Sequence, residues 1–175
     1  MKEIKLTQEK VALVDDEDYE LVNEYKWYFD SKGYAARNSY TYEGRKIGKT
    51  ILMHREISKA PTGIYVDHKD HNKLNNQKCN LRLCTRLQNQ RNLKKPRRNT
   101  ASRFKGVTIC FKSKGQTHYY YKAQIKIGGG RAKSKYFPFT MDGEIMAARQ
   151  YDEWAKQYFG EYAYLNNPTP VINEA

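Results

Sequence analysis

The side chains best suited to chemistry are concentrated in the middle of the chain. Asp67-His68 comes first, and amide side chains recur downstream at Asn80 and Asn89. One carboxylate and one amide oxygen suit a hard cation such as Mg²⁺, which keeps several waters and takes further ligands from a substrate phosphate. A neighbouring histidine can take a proton from water near neutral pH. The pattern therefore indicates metal-assisted hydrolysis of a phosphate ester.

Three local elements must position these side chains. The apolar residues Ile64 and Val66 predict that Asp67-His68 ends a strand. An Asn-rich segment follows, whose side chains favour turns. A helix beginning near Thr85 can then present Asn89 back toward the pair.

The positive charge is confined to the centre of the sequence. The net charge is +13, and residues 61–140 hold the whole excess with two acids, Asp67 and Asp70. Such a block points to a polyanion as partner. A membrane binder would place these charges on an amphipathic helix or beside an apolar anchor, and neither is visible. We expect a soluble intracellular protein with reduced cysteines, because no signal-like segment is present and the three cysteines are odd in number.

The first 60 residues predict a β-rich module. Lys10–Val14 fits a short strand, and Asp15 or Asp16 can cap an acidic helix that runs to Tyr25. Tyr34–Tyr42 and Arg45–Met53 fit two strands joined at Glu43-Gly44. Residues 93–103 lack apolar periodicity and contain a proline, which indicates a linker. Its basic side chains can track phosphates: Lys94, Lys95, Arg97, Arg98 and Arg103.

The C-terminal part predicts a sheet covered by one helix. Three strand-like runs, Gly106–Phe111, Tyr119–Ile127 and Lys133–Phe139, precede an amphipathic helix over Met141–Phe159 that ends at Gly160. The helix covers one face of the sheet and leaves the other free. The predicted free face carries Thr108, Lys122, Gln124, Lys126, Lys133 and Lys135, beside Lys105 as a further DNA contact.

Two segments of this part carry a family resemblance. The motifs are Phe104-Lys-Gly-Val-Thr with the later Tyr-Lys-Ala-Gln-Ile-Lys-Ile, then Ala147-Ala-Arg-Gln-Tyr-Asp-Glu-Trp-Ala and Phe159-Gly-Glu-Tyr-Ala-Tyr-Leu-Asn-Asn. They resemble the AP2/ERF-type DNA-binding domain over about 65 residues. The resemblance implies that the sheet reads the major groove through Thr108, Gln124, Lys126, Lys133 and Lys135. This chain has Thr, Lys and Gln where many plant members have Arg and Trp, so their target sequence does not transfer.

The central motif resembles a second family. Val66-Asp67-His68-Lys-Asp-His-Asn-Lys-Leu-Asn-Asn, with Asn80, Asn89 and the upstream Met53-His54-Arg55, resembles the homing-type HNH nucleases of phages. The resemblance implies a ββα-metal core in which His68 is the general base, Asp67 and Asn89 hold the metal, and Asn80 braces the loop. His71 stands where a turn glycine is usual, so it is expected at positive φ.

Other interpretations of the same residues are less favoured. His68, His71, Cys79 and Cys84 could form a zinc site, but the two pairs are only seven residues apart. A purely structural role for the motif is disfavoured because its residues fall in register with the family pattern. For His54 we favour a packed or hydrogen-bonded histidine before a helix.

These observations predict an α+β protein with four segments. Residues 1–92 form an HNH nuclease domain with its β-rich module and a core at 51–92; residues 93–103 are a basic linker; residues 104–167 are an AP2/ERF-like domain; residues 168–175 are a tail. The expected function is hydrolysis of double-stranded DNA by a monomer with Mg²⁺ or Mn²⁺ and no small-molecule cofactor, leaving a 5′ phosphate and a 3′ hydroxyl. A non-cleaving DNA-binding regulator is the alternative. An RNA-binding protein would expose more aromatics on the sheet.

Overall fold

The computed structural model describes residues 1–39, 41–42, 45–46, 48–95, 102–111 and 118–168. The predicted turns at Glu43-Gly44 and Lys114-Gly115, and the predicted phosphate contacts Arg97 and Arg98, lie outside these residues. The chain divides into two compact units, Met1–Asn89 and Gln90–Ala175. Among the helices in these ranges, none has the length and apolar character needed to cross a membrane.

Unit 1 begins with a hairpin and a helix. Strands β1 (Lys2–Lys5) and β2 (Val11–Val14) pair antiparallel, and helix α1 (Asp16–Asn23) follows. β2 and α1 were predicted and are confirmed, whereas β1 was not predicted. The buried side chains of Ile4, Val14 and Val22 start the core of this unit.

The next part of unit 1 is a three-stranded sheet extended by a second hairpin. β4 pairs with both β3 and β7, and β5 pairs with β6, so the two strands predicted between residues 34 and 53 do form antiparallel pairs. The short helix α2 begins directly after β7. The bounds are β3 (Tyr28–Phe29), β4 (Ala35–Asn38), β5 (Thr41–Tyr42), β6 (Arg45–Lys46), β7 (Thr50–Leu52) and α2 (Met53–Ser58).

The next three elements follow in the predicted order of strand, strand and helix, and the helix extends past Asn89, the last residue of unit 1. β8 (Tyr65–His68) pairs antiparallel with β9 (Leu81–Cys84), and α3 (Arg86–Asn92) begins two residues after β9. Val66 and Leu81 are buried in the same cluster as Met53. The strands are therefore fixed to the core of unit 1.

Unit 2 contains a three-stranded antiparallel sheet in the order β10 (Val107–Phe111), β11 (Tyr119–Gly128), β12 (Arg131–Pro138). Helix α4 (Met141–Phe159) has the predicted bounds, and the side chain of Thr140 accepts a hydrogen bond from Gly143 N at 3.0 Å. A 3₁₀ turn (Gly160–Tyr162) follows α4. Together with the strands and helices of unit 1, these elements confirm the predicted α+β class.

The helix packs closely on the sheet. Ala123, Phe137 and Ile145 share one buried cluster, and Ile125 and Tyr151 share another. Gly106, at φ 75°, leaves room for the Tyr151 ring, since a Cβ there would lie 1.9 Å from a ring carbon. The carboxylate of Asp152 in α4 accepts hydrogen bonds from the backbone N–H groups of Asn166 and Asn167, which follow the helix. Asn166 also forms hydrogen bonds with the backbone of Lys105. The end of the described chain is thereby tied to the start of the sheet.

The register of β12 corrects part of the predicted free face. Lys133 lies opposite Ile125 and Lys135 lies opposite Ala123, both of which are buried beneath α4. Accordingly, Lys135 Nζ donates to Gln150 Oε1 of α4 at 3.1 Å, and Lys133 Nζ lies 5.1 Å from the centre of the Tyr158 ring. The prediction that these two lysines share the free face is wrong. Thr108, Lys122, Gln124 and Lys126 do lie on it.

Candidate nuclease site

Asp67 is held by an ion pair across the β8–β9 hairpin. The antiparallel register places it opposite Arg82, whose Nε and Nη2 donate to Asp67 Oδ2 at 2.9 and 2.7 Å. The two side chains are only 9% and 10% exposed. Because a nearly buried carboxylate needs a compensating charge, Arg82 supplies the positive charge that faces Asp67 at this position. The sequence analysis did not assign a role to Arg82.

His68 follows Asp67 and points to the opposite face of the strand. It is 4% exposed, and its Nε2 has no hydrogen-bond partner among the described residues. Burial lowers the pKa of His68; the nearby Asn76 amide, Asp70 and Asp67 act in the opposite direction, and Lys73 adds to the lowering. At neutral pH the imidazole is therefore unprotonated, which is the form that accepts a proton from water.

Asn80 closes the loop between the two strands. Its Nδ2 donates to Asp70 Oδ1 at 2.9 Å and to Asn75 O at 2.8 Å, and its Oδ1 accepts from Asp70 N at 3.0 Å. Burial raises the pKa of Asp70, but hydrogen bonds from Asn75, Asn72 and Asn80 outweigh it and leave the pKa lowered. Within the same loop His71 adopts φ 64°, which confirms the turn conformation predicted for it.

Two side chains from outside the hairpin contact His68. His54, in the first turn of α2, lies with its ring centre 5.1 Å from that of His68. Tyr34, just before β4, lies 5.0 Å from His54 and 6.1 Å from His68. Sequence analysis did not single out Tyr34, because its partners are distant in the chain. His54 is a packed histidine, as the sequence analysis favoured, but it lies inside the helix and not before it.

Arg55, the neighbour of His54, has a structural role. Its guanidinium donates to the backbone oxygens of Ile64, Ala60 and Pro61 at 2.6, 3.2 and 3.0 Å. These bonds connect α2 to the segment that enters β8. The position of His54 is thereby coupled to that of the Asp67-His68 strand.

A pocket of about 750 Å³ opens beside the rings of Tyr34 and His54. Tyr34 and His54 line it, as does Asn89 from α3. The Asn89 side chain is half-buried and makes no hydrogen bond within the part of the chain that the structure describes. Its amide is therefore available to a ligand. The remaining lining residues include Tyr28, Phe29, Asp30, Ser31, Lys32, Thr50, Leu52, Arg55, Tyr65 and Val66.

The two side chains predicted to hold a metal are of the type that a hard cation prefers. Asp67 has a carboxylate, with about four lone-pair sites, and Asn89 has an amide oxygen. Asn89 lines the pocket, whereas Asp67 lies on the face of β8 opposite His68 and is not one of the described residues that line the pocket. Over the described ranges, no group of three or more His, Cys, Asp or Glu side chains is placed to bind a metal. Cys79 is exposed while Cys84 is buried, and burial raises the pKa of the Cys84 thiol to about 11.

In unit 2, two residues predicted to contact DNA are engaged internally. Lys105 Nζ donates to the backbone oxygens of Arg91 and Leu93, both at 2.7 Å, and burial lowers its pKa to about 8. Lys95 Nζ donates to the backbone oxygens of Ser102 and Phe104. These ammonium groups hold the chain before β10, which corrects the prediction that Lys95 tracks phosphates and that Lys105 contacts DNA. Lys94 and Arg103 are exposed.

Comparison with known proteins agrees with this arrangement of strand, strand and helix. A family model described as HNH endonuclease matches residues 56–91, which contain β8, β9 and nearly all of α3. A protein of Acanthamoeba polyphaga mimivirus, named as an uncharacterized HNH endonuclease, is 36% identical over 155 residues, covering 89% of this chain and 74% of that protein. The chain belongs to the HNH endonuclease family and is a nuclease. No solved structure matches it.

The buried histidines should make unit 1 sensitive to acid. Burial lowers the pKa of His54 from 6.5 to about 3, with His68, Arg55 and Lys73 acting in the same direction. The unfolded chain therefore binds a proton that the folded chain excludes, so stability is full above pH 6.5 and falls as the pH decreases below it. We expect His54 to contribute a loss of about 2 kcal/mol between pH 7 and pH 5.

Urea unfolding at the two pH values measures this loss. Trp27, buried in unit 1, reports the transition when Trp154 of unit 2 is replaced by Phe. His54→Phe should lose about 2 kcal/mol less than the parent on acidification. Equal losses in both proteins would show that His54 does not titrate in this way.

Proposed function

We propose that this nuclease hydrolyses a phosphodiester bond of double-stranded DNA with the help of a divalent metal ion. The observation that carries the proposal is the placement of His68. Its ring is unprotonated at neutral pH, its Nε2 is unpartnered within the described residues, and it packs against Tyr34 and His54, which line the pocket that Asn89 also lines. A general base needs these properties to accept a proton from the attacking water.

The proposed roles of the other residues follow from their contacts. Asp67 and Asn89 would hold Mg²⁺ or Mn²⁺ through oxygen ligands. The ion, when bound, supplies positive charge next to the phosphate and the departing 3′ oxygen. Arg82 orients Asp67 through its ion pair, and Asn80 keeps the loop after His68 closed. The expected products carry a 5′ phosphate and a 3′ hydroxyl.

The nature of the product ends tests this reaction class. Hydrolysis of the bond between phosphorus and the 3′ oxygen leaves a 5′ phosphate and a 3′ hydroxyl at the nick, and DNA ligase can seal such a nick without prior treatment. We expect nicked plasmid made by the enzyme to be resealed by ligase and ATP alone. A product that needs phosphatase and kinase treatment before ligation would contradict the proposed direction of cleavage.

For unit 2 we propose sequence recognition by an AP2/ERF-like sheet. The three-stranded antiparallel order and the single covering helix are in keeping with that resemblance. The face away from α4 carries Thr108, Lys122, Gln124 and Lys126, and residues 101–140 contain no Asp or Glu. A small sheet of this kind can enter the major groove, where Lys and Gln bond base edges. We also infer a homing-type enzyme of a phage that acts as a monomer. The relative from a virus of Acanthamoeba supports a viral origin in general, and not a phage in particular.

The two faces of the sheet provide a matched comparison. Replacing exposed Gln124 or Lys126 with Ala should remove ~1–3 kcal/mol of discrimination between a selected duplex and a scrambled one, because each contacts base edges. Lys133→Ala is the control, since Lys133 lies on the α4 side. Binding of each variant to both duplexes at fixed salt measures the effect. Equal losses on the two duplexes would show that the free face contacts only the DNA backbone.

A further inference from the structure

His54 is a buried polar residue for which the proposed reaction has no assigned role. It is 5% exposed, and its Nδ1 has no hydrogen-bond partner among the described residues. Leaving a buried polar atom unpaired is unfavourable, so such an atom calls for an explanation.

The ring of His54 packs directly against the ring of His68. The two planes are inclined at 76°, so the edge of one imidazole faces the plane of the other. The Tyr34 ring lies tilted against both histidines. Together, these two side chains cover the His68 imidazole from outside the β8–β9 hairpin.

His54 is itself held firmly in place. Its helix neighbours Met53 and Ile57 are buried in the core of unit 1. Arg55 ties the helix to the segment before β8 through three backbone oxygens. Within α2, Glu56 forms a two-point ion pair with Arg37 of β4. Movement of His54 relative to His68 would disturb all of these contacts.

The charged and titratable groups around the pair define its electrostatic surroundings. Lys73 Nζ lies 4.5 Å from the centre of the Tyr34 ring and donates to Lys32 O at 2.8 Å. Arg55 and Lys73 act on His54, and Asp67, Asp70 and Lys73 act on His68. Burial and these cations keep His54 neutral at neutral pH, so His54 does not supply a proton to a leaving group.

We propose that His54 is a positioning residue that holds the His68 imidazole in its reactive orientation and keeps bulk water away from it. This inference rests on the proposed function, in which His68 is the general base. Removing the His54 ring should free the His68 ring to rotate and should admit water to it.

Three variants test the proposal by kinetics. His54→Ala should reduce the single-turnover cleavage rate by about 10-fold to 100-fold, with DNA affinity unchanged. His54→Phe keeps an aromatic ring and should restore most of the rate. His118→Ala, which changes an exposed histidine of unit 2, is the control and should cleave at the wild-type rate.

Imidazole NMR separates this proposal from the proposed function. The His68 imidazole signals can be followed in the full-length protein and its variants without any DNA. We expect them to broaden in His54→Ala, because the His68 ring gains freedom to rotate, and to keep their wild-type line widths in His54→Phe, while the signals of His118 in unit 2 stay the same. Unchanged His68 signals in a folded His54→Ala protein would overturn the positioning role. If the signals broaden but His68→Ala cleaves at the wild-type rate, His54 positions the ring and the assignment of the general base is wrong.

Discussion

Replacing His68 with alanine should reduce the single-turnover rate of DNA cleavage by ~10²–10⁴-fold, the usual effect of losing a general base. DNA affinity should stay nearly unchanged, because most binding comes from basic residues elsewhere in the chain. Rapid-quench kinetics at saturating enzyme measures the rate, and a filter-binding or anisotropy titration measures the affinity.

His118→Ala is the matched control for this substitution. His118 is exposed in unit 2, so its loss should leave the cleavage rate unchanged. A His68→Ala protein that cuts at the wild-type rate would show that another group activates the water. A parallel loss of DNA affinity would indicate that the imidazole mainly contacts substrate.

Asn89→Ala should raise the concentration of Mg²⁺ or Mn²⁺ needed for half-maximal cleavage by about tenfold or more, because it removes one of two proposed oxygen ligands. This residue gives the sharper test of the metal site. Asp67→Ala would remove the carboxylate that pairs with the nearly buried Arg82, and breaking such a pair typically destabilises a protein by ~3–5 kcal/mol. Loss of activity in that variant would mix unfolding with loss of a ligand.

The neighbouring exposed residue Gln90 provides the control for Asn89. It lies on the same helix, so Gln90→Ala should change helix propensity in a similar way without affecting the metal response. Cleavage is measured against metal concentration for the three proteins. Identical metal dependence in wild type and Asn89→Ala would show that Asn89 is not a ligand.

Local patterns in the sequence predicted the elements that local forces determine. The bounds of α4 were predicted from its amphipathic period and from Gly160 after the last turn, and in the structure Thr140 also caps its first turn. The strand that carries Asp67 and the helix after Thr85 were predicted from the apolar residues at 64 and 66 and from the turn chemistry between them. The left-handed conformation of His71 was expected from the family resemblance, in which a turn glycine is usual at this position.

Contacts between distant residues were beyond these patterns. The Asp67–Arg82 ion pair depends on the register of β8 and β9, which loop length alone does not determine. The contact of Tyr34 and His54 with His68 depends on how the sheet and α2 pack in the core. Their sequence separations leave no short-range signal.

The lysine side chains show where charge alone misleads. Lys95 and Lys105 contribute to the basic block, yet their ammonium groups satisfy backbone carbonyls. Nothing in composition distinguishes such a lysine from one that is free to bind phosphate. For Lys133 and Lys135 the sequence did contain a signal. They precede Phe137 at a spacing of two residues along the strand, so they lie on the same face as this buried aromatic residue.

Incubation of the full-length protein with supercoiled plasmid, with Mg²⁺ and with EDTA in parallel, tests the central claim most directly. If the protein is a metal-dependent DNA nuclease, nicked or linear plasmid should accumulate with Mg²⁺ and should be absent with EDTA. Including His68→Ala in the same experiment shows whether any cleavage belongs to this site, and the variant should leave the plasmid supercoiled. Equal cleavage with Mg²⁺ and with EDTA, or by wild type and His68→Ala, would contradict the account.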